Sequence, residues 1–163
     1  MDYSDEYLLS VLRSVKRVAL VGVSTNPVRP SFYVGRYLSL KGYEVLPVNP
    51  VYKGQKLWGA KIRPSLKSLA KKSGGVDMVD IFRRSEEAER VVDDALEHHL
   101  DKGLKAIWMQ IGVVNEKAAA KAEAAGLKVV MNRCPKIEYQ RLIGELSMGG
   151  FNSGRVSSKL RKV

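Results

Sequence analysis

Apolar and polar positions along the chain follow two alternating regimes. Short runs that are apolar at nearly every position recur at residues 17–22 (RVALVG), 43–48, 77–82, 105–111 and 127–131. Each is too short for a helix, and its continuous apolarity predicts a strand covered on both faces. The stretches between them carry helical spacing. Tyr7, Leu8, Val11 and Leu12 share one face of a helix over residues 5–14. Ser31, after Pro30, opens a helix bearing Val34, Tyr37, Leu38 and Leu40 and closed by Gly42. Ser65 caps a one- to two-turn helix to Lys71, and Ser85 caps a long one to Lys102 with Val91, Ala95 and Leu96 facing inward. Asn115 caps an alanine-rich helix that ends at Gly126, and residues 137–146 form a closing helix. A looser segment near residues 57–62 is expected to hold a short strand or hairpin.

Strand and helix in regular alternation predict an α/β fold. The expected architecture is a three-layer, Rossmann-like, doubly wound sheet of about five parallel strands joined by right-handed crossovers. One domain is expected over residues 1–146, followed by a basic, flexible tail over residues 147–163. In such a sheet ligands bind outside the carboxyl ends of the strands, so those ends are where chemistry should be sought.

Composition narrows the class. The chain has 163 residues, a one-domain length, and its 45% hydrophobic and 28% charged residues exclude disordered and collagenous chains. A single cysteine, Cys134, excludes an intrachain disulfide and a thiolate zinc cluster and suits a reducing compartment. No apolar run reaches the roughly 20 residues of a membrane span. The acidic start, with Asp2, Asp5 and Glu6, is unlike a signal peptide. A cytoplasmic location and no membrane partner are expected.

The net charge is +11, which favours anionic partners or simply a solvated basic face. The surplus is concentrated. Residues 53–72 hold Lys53, Lys56, Lys61, Arg63, Lys67, Lys71 and Lys72 with no acid, and the tail adds Arg155, Lys159, Arg161 and Lys162. Aromatics in these regions are limited mainly to Tyr52, Trp58 and Phe151, so platforms for stacking bases are few and no specific nucleic-acid partner is expected.

The strand ends supply the candidates. After the first strand comes VGVSTNPVRPS, in which Gly22 permits a tight turn, Ser24, Thr25 and Asn26 are short, and Arg29 precedes a helix start. That combination reads as a pyrophosphate cradle or as an ordinary strand-to-helix loop. The second strand ends in PVNP, where an NAD site would place a carboxylate for the ribose. Asn49 can bond a base or ribose, and the missing carboxylate leaves room for a ribose phosphate within reach of Lys53. The third ends in DIFRR: Phe82 offers a flat apolar face, Arg83 and Arg84 bidentate phosphate donors. The fourth ends in WMQIG, with Gln110 in an apolar run, and the fifth in MNRCPKIE, with Asn132 and Cys134. Cys134 reads either as a small buried hydrophobe or, beside Arg133, Lys136 and a helix start, as a thiolate.

Other chemistry is not signalled. The three spaced glycines of the dinucleotide fingerprint and the phosphate-loop lysine are missing. No Ser-His-Asp order, paired carboxylates or metal spacing appears, and His98 and His99 are expected on a helix surface.

Taken together and in this order, VGVSTNPVRPS, PVNP, DIFRR, WMQIG and MNRCPKIE resemble the small stand-alone CoA-binding proteins, relatives of the CoA-binding domain of the succinyl-CoA synthetase alpha subunit. The resemblance spans residues 15–146. It implies coenzyme A laid across the strand ends: Gly22, Val23, Ser24, Thr25 and Arg29 at the pyrophosphate, and Asn49, Pro50 and Lys53 toward the adenosine and its 3′-phosphate. Phe82, Arg83 and Arg84 would frame the adenine or the phosphates, with Gln110, Asn132 and Cys134 toward the pantetheine arm. In the synthetases a further domain with a phosphorylated histidine and a nucleotide-binding partner complete the enzyme. This chain is expected to have neither and to be a non-catalytic binding, sensor or accessory protein for CoA or acyl-CoA, with Cys134 a candidate for a mixed disulfide. The alternative is an NAD(P)-binding oxidoreductase or redox sensor. The oligomeric state is left open.

Overall fold

Ser4 accepts a hydrogen bond from the Tyr7 amide and starts α1 (Asp5–Ser14), which buries Leu8, Val11 and Leu12. In the computed structural model, which describes residues 2–148, α1 leads into β1 (Arg17–Val21) and then α2 (Pro30–Leu40). β2 (Glu44–Val48) follows, then a 3-10 turn at Pro50–Tyr52 and a hairpin of β3 (Lys56–Leu57) and β4 (Ala60–Lys61). α3 (Leu66–Ser73), β5 (Met78–Ile81) and α4 (Ser85–His99) come next. β6 (Ala106–Met109), α5 (Glu116–Ala124), β7 (Lys128–Val130), α6 (Pro135–Leu142) and α7 (Glu145–Met148) complete the described chain.

The five long strands form one parallel sheet in the order β2-β1-β5-β6-β7. Beyond β2, Arg63 makes a single parallel bridge to Val48, a one-residue remnant of an outer strand. The order reverses between β1 and β5, which makes their carboxyl ends the switch point.

Strand side chains alternate between two layers, as the pleat requires. Ala19, Val21, Val79, Ile81, Ile107 and Met109 face α3, α4 and α5. Val18, Met78, Ala106 and Trp108 face α1, while Leu20 packs with Val34 and Leu38 of α2 and Ile137 of α6. Both faces of the sheet are thus closed, which is why its strands read as unbroken apolar runs. The fold class expected from the sequence is the one observed.

Local expectations fared unevenly. Ser65 and Asn115 cap α3 and α5, accepting from the Ser68 and Ala118 amides. Ser85 is not a cap: Arg84 holds that position, and the Ser85 hydroxyl instead donates to Gly112 O (3.3 Å) and accepts from the Val114 amide (2.9 Å). The fully buried face of α4 is Ala88, Val92, Ala95 and His99, with Val91 and Leu96 only partly buried beside it. His99 is therefore a core residue, contrary to the expected surface position. It has no exposure, its Nε2 donates to Leu66 O at 2.8 Å, and Nδ1 has no partner among the described residues. The closing helix starts at Pro135, with Cys134 at its N-cap, and breaks before α7. The candidate tail lies outside the described residues from 149 onward.

Candidate functional site

The turn after β1 is set by Gly22, whose φ of +92° is the left-handed region that glycine enters without strain. Its backbone runs against the chain leaving β5, so close that a Cβ there would lie 2.2 Å from Phe82 O. The loop that follows braces itself: the Ser24 amide donates to Ser31 Oγ (2.9 Å), Asn26 to Ser24 Oγ (3.1 Å) and Val28 to Asn26 Oδ1 (3.2 Å). Arg29 then occupies the N-cap of α2 without a side-chain cap bond, beside the positive end of an 11-residue helix. The Asn49 side chain ties β2 to this loop, Nδ2 donating to Val23 O (2.8 Å) and Oδ1 accepting from the Val51 amide (3.0 Å).

These loops enclose a cleft of about 750 Å³ over the carboxyl ends of β1, β2, β5 and β6. Gly22, Val23, Ser24, Arg29 and Asn49 line one wall. Phe82, Arg83 and Arg84 line another, and Gln110 and Cys134 lie among the remaining lining residues. Thr25, Pro50, Lys53 and Asn132 fall outside the lining. Pro50 and Lys53 are exposed, and Asn132, with φ +56°, uses its side-chain oxygen to accept from the Gly112 amide (2.8 Å). Ser31, Tyr52, Glu87 and Val113, which no motif marked as site residues, also line the cleft.

The charges divide into free and committed groups. Arg84 pairs with Glu87 (3.2 Å) and Glu86 (3.7 Å), whereas Arg29 and Arg83 form no ion pair among the described residues. Two guanidinium groups lining one cleft, neither in an ion pair among the described residues, suit an anion bound in it. Of the basic stretch, Lys53, Lys56, Lys61, Lys67, Lys71 and Lys72 are exposed, and among the described residues none of these six is in an ion pair.

Beneath the cleft sits a carboxyl group the sequence reading did not single out. Asp80 in β5 is fully buried; burial pushes its pKa up to about 8, and the Gln110 amide opposes that only in part. Gln110 Nε2 donates to both oxygens, at 2.8 and 3.0 Å. An acid flanked on both sides by apolar strand residues, Val79 and Ile81, was the available signal. Cys134, 2% exposed, has its thiol pushed up to about 12 by burial, with Asp80 adding to the rise. The thiolate reading is thereby overturned, because the helix start and Lys136 only partly offset desolvation. Lys136 is itself buried, its ammonium 5.6 Å above the rings of Tyr33 and Tyr37.

Among the described residues no helix is long and apolar enough to cross a membrane. One metal-like group occurs there, Asp94, Glu97 and His98, on the outer part of α4 away from the cleft.

Relatives share this architecture. An uncharacterized protein of Bacillus subtilis, YneT, is 36% identical over 129 residues, covering 79% of this chain and 89% of its own. A hypothetical protein from Pyrococcus horikoshii is 36% identical with a TM-score of 0.76, over 87% of this chain and 94% of that one. The dinucleotide-forming acetyl-coenzyme A synthetase 1 of Ca. Korarchaeum cryptofilum matches in fold, with a TM-score of 0.59 and 24% identity, over 75% of this chain and 27% of the enzyme. The family model described as CoA binding domain matches residues 16–140, taking in all five strands of the sheet and the loops that build the cleft. The chain belongs to the CoA-binding domain family.

Proposed function

We propose that the protein binds coenzyme A or an acyl-CoA in the cleft over β1, β2, β5 and β6, as a binding, sensor or accessory protein without a reaction of its own. The observation that carries this reading is the pair of guanidinium groups, Arg29 and Arg83, that line one cleft of about 750 Å³ and form no ion pair among the described residues, in a chain of the CoA-binding domain family. The volume lies within the 300–1,000 Å³ typical of small-molecule sites. Phe82 supplies apolar area on the wall that also carries Arg83, so an adenine and its phosphates can be held by one segment.

The energetics agree in scale. Hydrogen bonds to charged groups contribute about 1.5–3 kcal/mol each. Two or three of them with stacking on Phe82 reach the roughly 8 kcal/mol of micromolar affinity. Asn49 stands where an NAD site would place a carboxylate, and its amide is bonded to Val23 and Val51, which disfavours the nicotinamide alternative. Cys134 is too buried and too weakly acidic to form a mixed disulfide readily.

A thermal-shift panel of CoA, acetyl-CoA, NAD, NADP and ATP tests the reading. A ligand at about 100 times its Kd adds roughly 2.7 kcal/mol of stability, and CoA or acetyl-CoA is expected to give the largest shift. A larger shift with NAD or NADP would overturn it.

A further inference from the structure

The Asp80–Gln110 pair joins a sealed acid to the floor of the cleft. Asp80 has no exposure, and both its oxygens accept from Gln110 Nε2. The nitrogen of the Gln110 amide is thus turned inward. Its Oε1 accepts no hydrogen bond among the described residues, and it is not among the side-chain atoms sealed from solvent without a partner. It opens on the cleft, which Gln110 lines. In this arrangement the pair presents a hydrogen-bond acceptor to whatever lies on the floor.

A primary amide is nearly symmetric in shape but opposite in polarity at its two ends. An ionised Asp80 accepts only and must have the nitrogen. A protonated Asp80 carries an O–H that needs an acceptor, and the amide oxygen is the neighbour able to provide one. We infer that Asp80 is a positioning residue whose protonation turns the Gln110 amide over, changing the cleft floor from a hydrogen-bond acceptor to a donor. The proton enters from solvent onto Asp80 and stays there, bonded to Gln110 Oε1, while Nε2 swings toward the ligand. This rests on the reading of the cleft as a CoA site and deepens it: the floor reads the polarity of the uncharged arm rather than the nucleotide.

The surroundings permit the switch. Leu20 and Trp108 flank Asp80 in the neighbouring strands and carry no charge. From α6, the neutral thiol of Cys134 feels Asp80, and Lys136 is directed at Tyr33 and Tyr37. The remaining charged groups, Arg29, Arg83, Arg84 and Glu87, belong to the walls of the cleft. Burial raises the Asp80 pKa toward neutrality, where such a switch can act.

The test compares acetyl-CoA, whose arm does not titrate, with adenosine 3′,5′-bisphosphate, which has phosphates and no arm. Calorimetry on the full chain from about pH 7 to about pH 9, above the second phosphate ionisation near about 6, should show the affinity ratio of the two changing roughly three- to tenfold, the span of one net hydrogen bond. Asp80→Asn, isosteric and unable to titrate, should flatten that ratio, and Gln110→Leu should do the same. In the ligand-free protein, the Gln110 side-chain amide resonances should move with the midpoint of the Asp80 carboxyl carbon. A ratio independent of pH in the wild type, or a dependence kept in Asp80→Asn, overturns the inference. So does a Gln110 amide that ignores the Asp80 titration, even if neither nucleotide binds. A coupled titration without binding of acetyl-CoA sustains the switch and overturns the CoA reading instead.

Discussion

Gly22 and Phe82 meet backbone to backbone at the switch point of the sheet: a Cβ on Gly22 would lie 2.2 Å from the Phe82 carbonyl oxygen. The Phe82 amide donates to Val21 O (2.8 Å) across these two segments, and the Gly22 amide donates to Val48 O (2.9 Å) at the end of β2. Three strand ends are thereby drawn together, and the walls bearing Arg29 and Arg83 take their spacing from this contact. Gly22→Ala combines a left-handed φ with a backbone collision. A left-handed backbone alone costs about 1–2 kcal/mol. Thermal denaturation is expected to fall by roughly 4–8 °C for about 2 kcal/mol, with weaker CoA binding alongside.

The arginines are expected to separate by their existing partners. Arg29→Ala and Arg83→Ala each remove a guanidinium that has no ion pair among the described residues and should weaken CoA binding by about 1–3 kcal/mol in calorimetry. Arg84 is already shared with Glu86 and Glu87, so Arg84→Ala should cost less than either. An Arg84 effect larger than both would contradict the assignment of the walls.

His99 makes the fold acid-sensitive. Burial lowers its folded pKa below the ordinary value of 6.5, so the neutral form is favoured in the folded state. Its contribution is present above pH 6.5 and is lost as the pH falls through the folded value. Urea titrations between about pH 7.5 and about pH 5 should show stability falling in wild type and falling less in His99→Gln.

Asp80 acts in the opposite sense. Its folded pKa is raised from 3.8 to about 8, so stability is fully present below 3.8 and is lost as pH rises through about 8. Asp80→Asn should therefore gain on the wild type steadily as pH rises over that window. A constant difference between the two would mean that the carboxyl group is not buried in solution.

Cys134 should be inert in the folded protein. With its thiol pushed up to about 12 and 2% of its surface exposed, labelling by a thiol reagent at neutral pH should wait on opening of the structure. Fast labelling of the native protein would contradict that environment.

How far the sequence disclosed this molecule depends on whether a residue acts locally. The strands were legible because each is covered on both sides, leaving runs such as RVALVG without a polar break. Ser65 and Asn115 were legible as caps because they bond three residues ahead. Ser85 was misread because its partners, Gly112 and Val114, come from another loop. His99 was misread as surface although Ala88, Val92, Ala95 and His99 share one helical stripe; polar identity outweighed a spacing that was there to see. The lining of the cleft was legible where strand ends carry charge, at Arg29, Arg83 and Arg84. It was hidden where the sheet itself supplies the group: Asp80 becomes chemical only when β6 brings Gln110 beside it.

Mapping of backbone amide shifts during a CoA titration decides whether coenzyme A lies in the cleft at the switch point. Saturable shifts are expected at Val23, Ser24, Phe82 and Arg83, with those along Lys56, Lys61 and Lys67 unchanged. Shifts confined to that basic face, or none with CoA present at millimolar concentration, would contradict it.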